Sequence, residues 1–255
     1  MNHSDWGFDI DSMRAHFTAL EAAGPYSCAG DCGDTARRYP GELCPACQTR
    51  ETRRRAWDGA CGSRDSIPER YRWAALHGRN GRTPDGRSLD DIAGRGAVSA
   101  AWATLDDLAA GKTRIVLLIG PTGAGKSTLA AALLGEILQR GGKGEWISVV
   151  RLADARRGAP LGCEPEAMAA ARRRRWIVLD DIGQEGVAGQ PPLNDILHAR
   201  YDACLPIIAT TGFDRTWLAE TYGAQFARRL FEEAAIVRLH QEGRSVAAVK
   251  DAKAS

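Results

Sequence analysis

Apolar residues along the chain gather into five short runs, and helix-forming stretches separate them. Residues 115–119 and 176–179 are unbroken apolar runs, as expected of strands buried on both faces of a parallel sheet. The other predicted strands are residues 146–150, 206–211 and 235–239. The predicted helices are residues 129–138, 151–175, 193–201 and 217–231. This alternation predicts an α/β fold built on a doubly wound, five-stranded parallel sheet.

The region before the sheet has a different pattern. Residues 13–23 predict a short helix that ends at Gly24-Pro25, and residues 97–110 predict another that ends at Gly111. Residues 78–96 are rich in Gly, Arg and Asp and predict a linker or irregular loop. We therefore expect a cysteine-rich region at 1–65, a connecting segment and linker at 66–111, and the α/β domain at 112–255.

Length, charge and composition limit the class of protein. The 255 residues accommodate one mid-sized domain and a small one, and 44% hydrophobic residues support a packed core. The net charge of +2 neither requires nor excludes nucleic acid. No apolar run approaches the ~18 residues of a membrane span. No secretory signal precedes residue 11, so we expect a cytoplasmic protein without a membrane partner.

The stretch after the first strand matches a phosphate-binding loop at every fixed position. We assign nucleotide binding to Gly120, Pro121, Thr122, Gly123, Ala124, Gly125, Lys126, Ser127 and Thr128. Glycines let backbone N–H groups surround phosphates at a helix N-terminus, Lys126 would reach the β- and γ-phosphates, and Ser127 would hold Mg²⁺. An ordinary glycine-rich turn is the alternative, but lysine and serine directly after a buried strand favour ATP binding.

A second apolar strand ends in two carboxylates, Asp180 and Asp181. A phosphate-loop ATPase needs one acid there to hold Mg²⁺ and a second to orient the attacking water. We assign the first role to Asp180 and the second to Asp181; the alternative is an acidic turn. Thr210 and Thr211 end the next strand, where ligands bind in such sheets, so either hydroxyl could meet the γ-phosphate or the water.

Four cysteines near the N-terminus have the spacing of a zinc site. Cys44 and Cys47 are separated by two residues, and Cys28 and Cys32 supply a second pair. Four thiolates around Zn²⁺ would stabilise a segment with few apolar residues. Free cysteines are the alternative, and Cys61 could replace one ligand. No βαβ pattern surrounds them, which disfavours a redox pair.

Two other cysteines and two basic runs complete the candidate features. Cys163 and Cys204 are predicted to be buried thiols. The arginine-rich residues 49–55 and 172–175 predict either solvated helix surfaces or contacts with a DNA backbone.

The order of these segments resembles the AAA+ ATPases of the DnaC/DnaI helicase-loader and IstB group. The resemblance covers roughly residues 67–245 and is carried by the phosphate loop, by Ile177-Val178-Leu179-Asp180-Asp181-Ile182-Gly183 and by the segment from Tyr222-Gly223 to Arg228-Arg229-Leu230. It implies that residues 112–255 form an AAA+ domain whose copies assemble with ATP between them.

The resemblance also implies roles for single residues. Arg229 matches the arginine finger that acts on a neighbouring subunit's ATP, and Arg244 is similar to the sensor-2 arginine. Thr211 falls where the family commonly has a sensor-1 asparagine, and Gln225 stands where many members carry a second arginine.

The resemblance leads to one functional prediction and three alternatives. We expect an ATPase that binds single-stranded DNA and a replicative helicase, forms an ATP-dependent homo-oligomer, and grips the helicase through its zinc region. An IstB-like helper of a transposase is one alternative; its relatives generally lack the cysteine region. A small-molecule kinase is disfavoured, because residues 172–175 lie where no lid is expected. A DNA-binding module that uses ATP as an assembly switch, with little hydrolysis, stays open.

Overall fold

The computed structural model describes residues 30, 32, 43–83, 85–160, 162–186, 190–232, 234–240 and 246–249. The chain divides into two compact units, Met1–Arg55 and Ala56–Ser255. The predicted helix at 13–23 lies outside the described residues, as do Cys28 and Arg244. Helix α1 is Pro45–Gly59.

Within the part of the chain that the structure describes, six strands form the sheet, in the order β2-β3-β4-β1-β5-β6. They are β1 Ile115–Ile119, β2 Gly144–Ser148, β3 Trp176–Ile182, β4 Ile207–Thr211, β5 Ala234–Arg238 and β6 Val246–Val249. The first five run parallel, which confirms the predicted five-stranded parallel sheet. Strand β6 adds an antiparallel edge that the sequence pattern did not predict.

The remaining helices surround this sheet. Before β1 come α2 Cys61–Ser66, α3 Glu69–His77, α4 Leu89–Ala93 and α5 Arg95–Ala109. After it come α6 Lys126–Gln139, α7 Val149–Gly158, α8 Glu166–Arg173, α9 Gln190–Asp202, α10 Arg215–Tyr222 and α11 Ala224–Glu232. None of the helices within the described residues combines the length and apolar character that a membrane crossing needs.

Glycine and proline explain where the predicted helices differ from the observed ones. The stretch 151–175 is two helices rather than one, because Gly158, Pro160 and Pro165 interrupt it. The stretch 217–231 is also two helices, and Gly223 ends the first at φ +92°. The predicted linker 78–96 instead contains α4, which begins at a capping box formed by Ser88 and Asp91.

The sheet separates two layers of helices. Along β1, Val116 and Leu118 pack into a core with α3–α6, while Ile115, Leu117 and Ile119 pack into a core with α7–α11. This two-residue alternation is the ordinary geometry of a strand buried on both faces. It puts the phosphate-loop helix α6 on one face and α11, which carries Arg229, on the other.

The prediction that Cys163 and Cys204 are buried thiols is wrong. Cys163 and Cys204 are exposed, because each lies in a connection between elements rather than in a strand or helix core. Cys204 takes φ +55° in the turn that follows α9.

A buried arginine joins α8 to the start of β4. Arg200 is fully buried, and its guanidinium donates to the carbonyl oxygens of Ala171, Arg174, Arg175 and Pro206 at 2.6–3.1 Å. Burial lowers the pKa of Arg200 to about 9, so the side chain stays charged at neutral pH. Carbonyls at a helix C-terminus favour a cation, and Arg200 therefore fixes the basic 172–175 segment against the sheet.

Candidate active site

The phosphate-binding loop lies between β1 and α6, as the motif requires. Gly123 and Gly125 take φ of +84° and +83°, a region that other residues rarely adopt. A Cβ on Gly125 would also meet the Ile92 side chain at 2.9 Å and the Ile92 carbonyl at 3.0 Å. The Lys126 ammonium donates to the carbonyls of Gly120 and Pro121 at 2.8 and 2.9 Å. The Lys126 side chain is therefore hydrogen-bonded to the backbone of its own loop.

Three elements bring a serine, an aspartate and a threonine together. The Ser127 hydroxyl, at the start of α6, donates to Asp180 Oδ1 at 2.8 Å. The Thr210 hydroxyl, on β4, donates to the same oxygen at 2.8 Å. Thr210 Oγ1 in turn accepts the backbone N–H of Asp181 at 2.8 Å. The end of β3 is thus fixed between the phosphate loop and β4.

Burial shifts the pKa values of the charged residues in this cluster. Burial, and then the neighbouring Asp181 carboxylate, raise the pKa of Asp180 from 3.8 to about 6. Hydrogen bonds from Ser127 and Thr210 oppose this rise. Burial also lowers the pKa of Lys126, against the attraction of Asp181 and Asp180. A cation placed beside these acids would stabilise the charged form of Asp180.

Asp181 lies at an irregular point of β3. Its φ is +63°, and the pairing of β3 with β4 shifts register between Leu179 and Ile182. A left-handed backbone is uncommon outside glycine and is tolerated by aspartate. The bulge turns Asp181 out of the regular alternation, and its side chain is only partly buried.

A cleft of about 750 Å³ opens beside the two acids. Asp180 and Asp181 line one part of it, and its other lining residues include Arg70 from α3, Trp146 and Ser148 from β2, and Arg151 from α7. Arg70 and Arg151 were not among the predicted site residues. Both lie within residues 67–245, which the resemblance covers, but neither belongs to a motif that assigns it a role.

The two threonines at the end of β4 have different surroundings. Thr210 contacts Asp180, whereas the Thr211 hydroxyl donates to the Ile182 carbonyl at 2.9 Å and accepts the Phe213 N–H at 3.1 Å. Both are fully buried. Of the two hydroxyls that the sequence offered, the structure thus brings Thr210 to the acid, and Thr211 bonds with backbone instead.

The arginines of α11 belong to the helix layer on the face of the sheet opposite to α6. Arg229 is half-buried, with its guanidinium 5.8 Å from the centre of the Tyr201 ring. Arg228 is exposed and lies 3.6 Å from Glu232. Gln225 is exposed on the same helix.

The residues of the cluster fit a magnesium ion. Mg²⁺ prefers oxygen ligands from hydroxyls and carboxylates, together with water and phosphate. Ser127 and Asp180 offer such oxygens 2.8 Å apart, and Asp180 lacks a cationic hydrogen-bond donor among the described contacts. These two residues could therefore hold the ion, as the sequence predicts.

In the first compact unit, three of the four predicted zinc ligands meet. The Sγ atoms of Cys32, Cys44 and Cys47 all lie within 4.8 Å of one another, and Cys32 and Cys44 are 3.5 Å apart. Four thiolates at 2.3 Å around Zn²⁺ would be about 3.8 Å apart. The sulfur arrangement thus fits a metal, and Cys28 lies outside the described residues.

Together, the sheet order, the phosphate-loop motif and the acid-bearing β3 define an α/β fold of the phosphate-loop, AAA+ type. No family model matches the sequence, and no curated protein matches it either. Among solved structures, the DnaC helicase loader is similar with a TM-score of 0.56 and 18% identity, over 68% of this chain and 99% of that one. DnaI is similar with a TM-score of 0.52 and 22% identity, over 62% of this chain and 90% of that one.

A third similar structure is a primosome component from Streptococcus pyogenes, with a TM-score of 0.51 and 22% identity. That match covers 71% of this chain and 92% of the other. The chain therefore has a DnaC/DnaI-like AAA+ fold, as its motifs predicted.

Proposed function

We propose that this chain is an ATPase that places a replicative helicase on single-stranded DNA. One observation carries the proposal: Ser127, Asp180 and Thr210 converge within hydrogen-bond distance on a fold similar to that of a helicase loader. Lys126, Ser127, Asp180 and Asp181 are the residue types that ATP hydrolysis needs at this edge of the sheet.

In this proposal each side chain has a distinct part. Lys126 exchanges its two loop carbonyls for phosphate oxygens, while backbone N–H groups of the loop bind the remaining oxygens. Ser127 and Asp180 would hold Mg²⁺, which would neutralise phosphate charge when ATP is bound. Asp181 orients the attacking water, and Thr210 keeps the Asp181 backbone in place through its hydroxyl.

The proposal includes a second subunit. Arg229 lies on α11 in one helix layer, and the phosphate-loop helix lies in the other, so we assign Arg229 to the ATP of a neighbouring copy. An arginine supplied in trans stabilises the charge that develops on the transferred phosphoryl group. ATP then holds the homo-oligomer together, and hydrolysis releases it.

The N-terminal cysteines and the arginine runs supply the partner contacts in this proposal. Zinc held by Cys28, Cys32, Cys44 and Cys47 would order a short segment that grips the helicase. Arg173 to Arg175 are exposed, although Arg174 already pairs with Glu145 at 2.9 Å. Exposed arginines at such a helix end can neutralise DNA phosphates, so binding to single-stranded DNA should weaken with salt.

The test measures ATP hydrolysis with and without single-stranded DNA at several protein concentrations. We expect turnover to rise with both, and Arg229→Ala to lower it by roughly 10³-fold or to background. Arg228→Ala is the matched control, because it removes a neighbouring arginine whose contact is Glu232. Turnover independent of DNA, concentration and Arg229 would exclude the assembly. If Arg228→Ala alone abolished turnover, Arg228 would be the trans-acting residue. A pull-down with the replicative helicase then tests the partner.

One observation favours a second candidate, an ATP-switched DNA-binding module with little hydrolysis. Gln225 is exposed on α11, where the resembling ATPases often carry a further arginine, so a neighbour's phosphates would meet less positive charge. Under this candidate ATP and DNA binding would be tight, while turnover would stay at background in the wild-type protein and would not change in Arg229→Ala.

A further inference from the structure

A buried carboxylate just beyond the acid pair takes no part in the proposed chemistry. Glu185 is only 6% exposed. Its Oε2 accepts the Gly183 N–H at 3.0 Å, and its Oε1 accepts the Tyr222 hydroxyl. A buried carboxylate is costly unless it is hydrogen-bonded, so these two donors are what makes Glu185 tolerable at this place.

Tyr222 connects this carboxylate to the arginine-bearing helix. It is the last residue of α10, and α11 begins two residues later, after Gly223 at φ +92°. Arg229 therefore follows Tyr222 by seven residues and lies five residues beyond the first residue of α11. Burial, and then the bond to Glu185, raise the pKa of Tyr222, so its hydroxyl remains a donor at neutral pH.

Aromatic side chains reinforce the same connection. Tyr222 stacks on Phe226 of α11 with ring centres 4.4 Å apart, and Phe213 stacks on Trp217 of α10 at 3.7 Å. A Cβ on Gly183 would collide with the Phe213 ring. The loop after β3 thus lies directly against α10, and a shift of that loop must move the aromatic side chains beside it.

We propose that Glu185 and Tyr222 are positioning residues that join the acid-bearing loop to α11 and so hold Arg229 where a neighbouring copy uses it. This inference rests on the proposed intersubunit ATPase. The path runs from Asp181 through Gly183 and Glu185 to Tyr222 and then along α11. This path connects the site where a subunit binds its own nucleotide to Arg229, which acts on the nucleotide of the neighbouring subunit.

Mixed assemblies separate the two ends of this connection. Lys126→Ala subunits cannot hold nucleotide phosphates but still offer Arg229, whereas Arg229→Ala subunits hold nucleotide but offer no arginine. Either variant alone should be inactive, and a mixture should regain turnover at interfaces that combine the two. Tyr222→Phe, which keeps the ring and removes the hydroxyl, is then added to one partner at a time.

On the arginine-offering subunit, Tyr222→Phe should lower the regained turnover by roughly tenfold, a usual size for coupling between sites. On the nucleotide-holding subunit, Tyr222→Phe should leave the regained turnover unchanged, and the nucleotide affinity should be the same in both mixtures. Glu185→Gln should also lower turnover only on the arginine-offering subunit. The double variant should lower turnover no further than Tyr222→Phe does, because both substitutions act on the same hydrogen bond between Tyr222 and Glu185. Tyr71→Phe, on the opposite face of the sheet, is the control.

Each result is decisive. An effect on the nucleotide-holding subunit instead would make the pair part of that subunit's own site and overturn the inference. Equal turnover with and without Tyr222→Phe, in a variant that remains folded by thermal unfolding, would also overturn it while leaving the intersubunit ATPase intact. Failure of the parent mixture to regain turnover would overturn the intersubunit site and this inference together.

Discussion

Asp180 allows a prediction in which stability and activity change in opposite directions. Its buried carboxylate has a pKa of about 6 against an ordinary 3.8. The folded state thus binds the proton more tightly than the unfolded state does. Ionised Asp180 therefore destabilises the metal-free protein above pH 6, and this penalty fades as the pH falls towards 3.8.

The size of the effect follows from the same difference. A gap between about 6 and 3.8 corresponds to an upper bound of about 3 kcal/mol, at about 1.4 kcal/mol per pH unit. In Asp180→Asn the amide oxygen can still accept from Ser127 and Thr210, so most of the local packing remains. We expect the variant to be about 1–3 kcal/mol more stable at pH 7.5 without metal, and to hydrolyse no ATP.

Urea unfolding at pH 7.5 and pH 5, with chelator present, measures this difference. The advantage of Asp180→Asn should fall to about half at pH 5, because the wild-type carboxyl is then largely protonated in the folded state. Asp154→Asn, at an exposed carboxylate on α7, should stay within about 0.5 kcal/mol of wild type at both pH values. A variant less stable than wild type at pH 7.5, or an advantage that does not depend on pH, would refute the reasoning.

Three further predictions concern the hydroxyls, the buried arginine and the cysteines. Thr210→Val should lower kcat by roughly 10²-fold with little change in nucleotide affinity. Thr211→Val should keep turnover and lose about 1–3 kcal/mol of stability, because the Ile182 carbonyl loses its donor. Steady-state kinetics and urea unfolding distinguish these results, and the opposite pattern would contradict the assignment. Arg200→Met should cost about 3–5 kcal/mol in the free energy of unfolding, since four carbonyls lose their donors; a loss below about 1 kcal/mol would show that Arg200 is dispensable. Cys44→Ser should remove bound zinc, measured by mass spectrometry of the metal, while Cys61→Ser should retain it; equal zinc content in both would exclude the proposed ligand set.

Local motifs allowed the phosphate-loop surroundings and the parallel strands to be predicted from the sequence. The phosphate loop specifies its own surroundings, because its glycines, lysine and serine work only between a buried strand and a helix start, and that is where they lie. The apolar runs predicted the five parallel strands, since strands buried on both faces must be apolar throughout. The helix end at the isolated Gly223 was harder to predict, because long helical patterns often tolerate a single glycine.

Contacts between distant residues were decided only by the tertiary structure. Thr210 and Thr211 were equivalent candidates in the sequence, and the pairing of β3 with β4 brought Thr210 to Asp180. A one-residue change of register reverses the face of every side chain, so no local pattern could choose between them.

The sequence alone predicted the chemistry that we propose for this chain, because the loop and the acid pair are local patterns with few other uses. The tertiary structure decided which groups cooperate with that chemistry. Glu185 and Tyr222 are 37 positions apart and show no shared pattern, yet packing of α10 against the loop after β3 buries them together. Once both are buried, the donor and the acceptor must satisfy each other, and that requirement exists only in the folded chain.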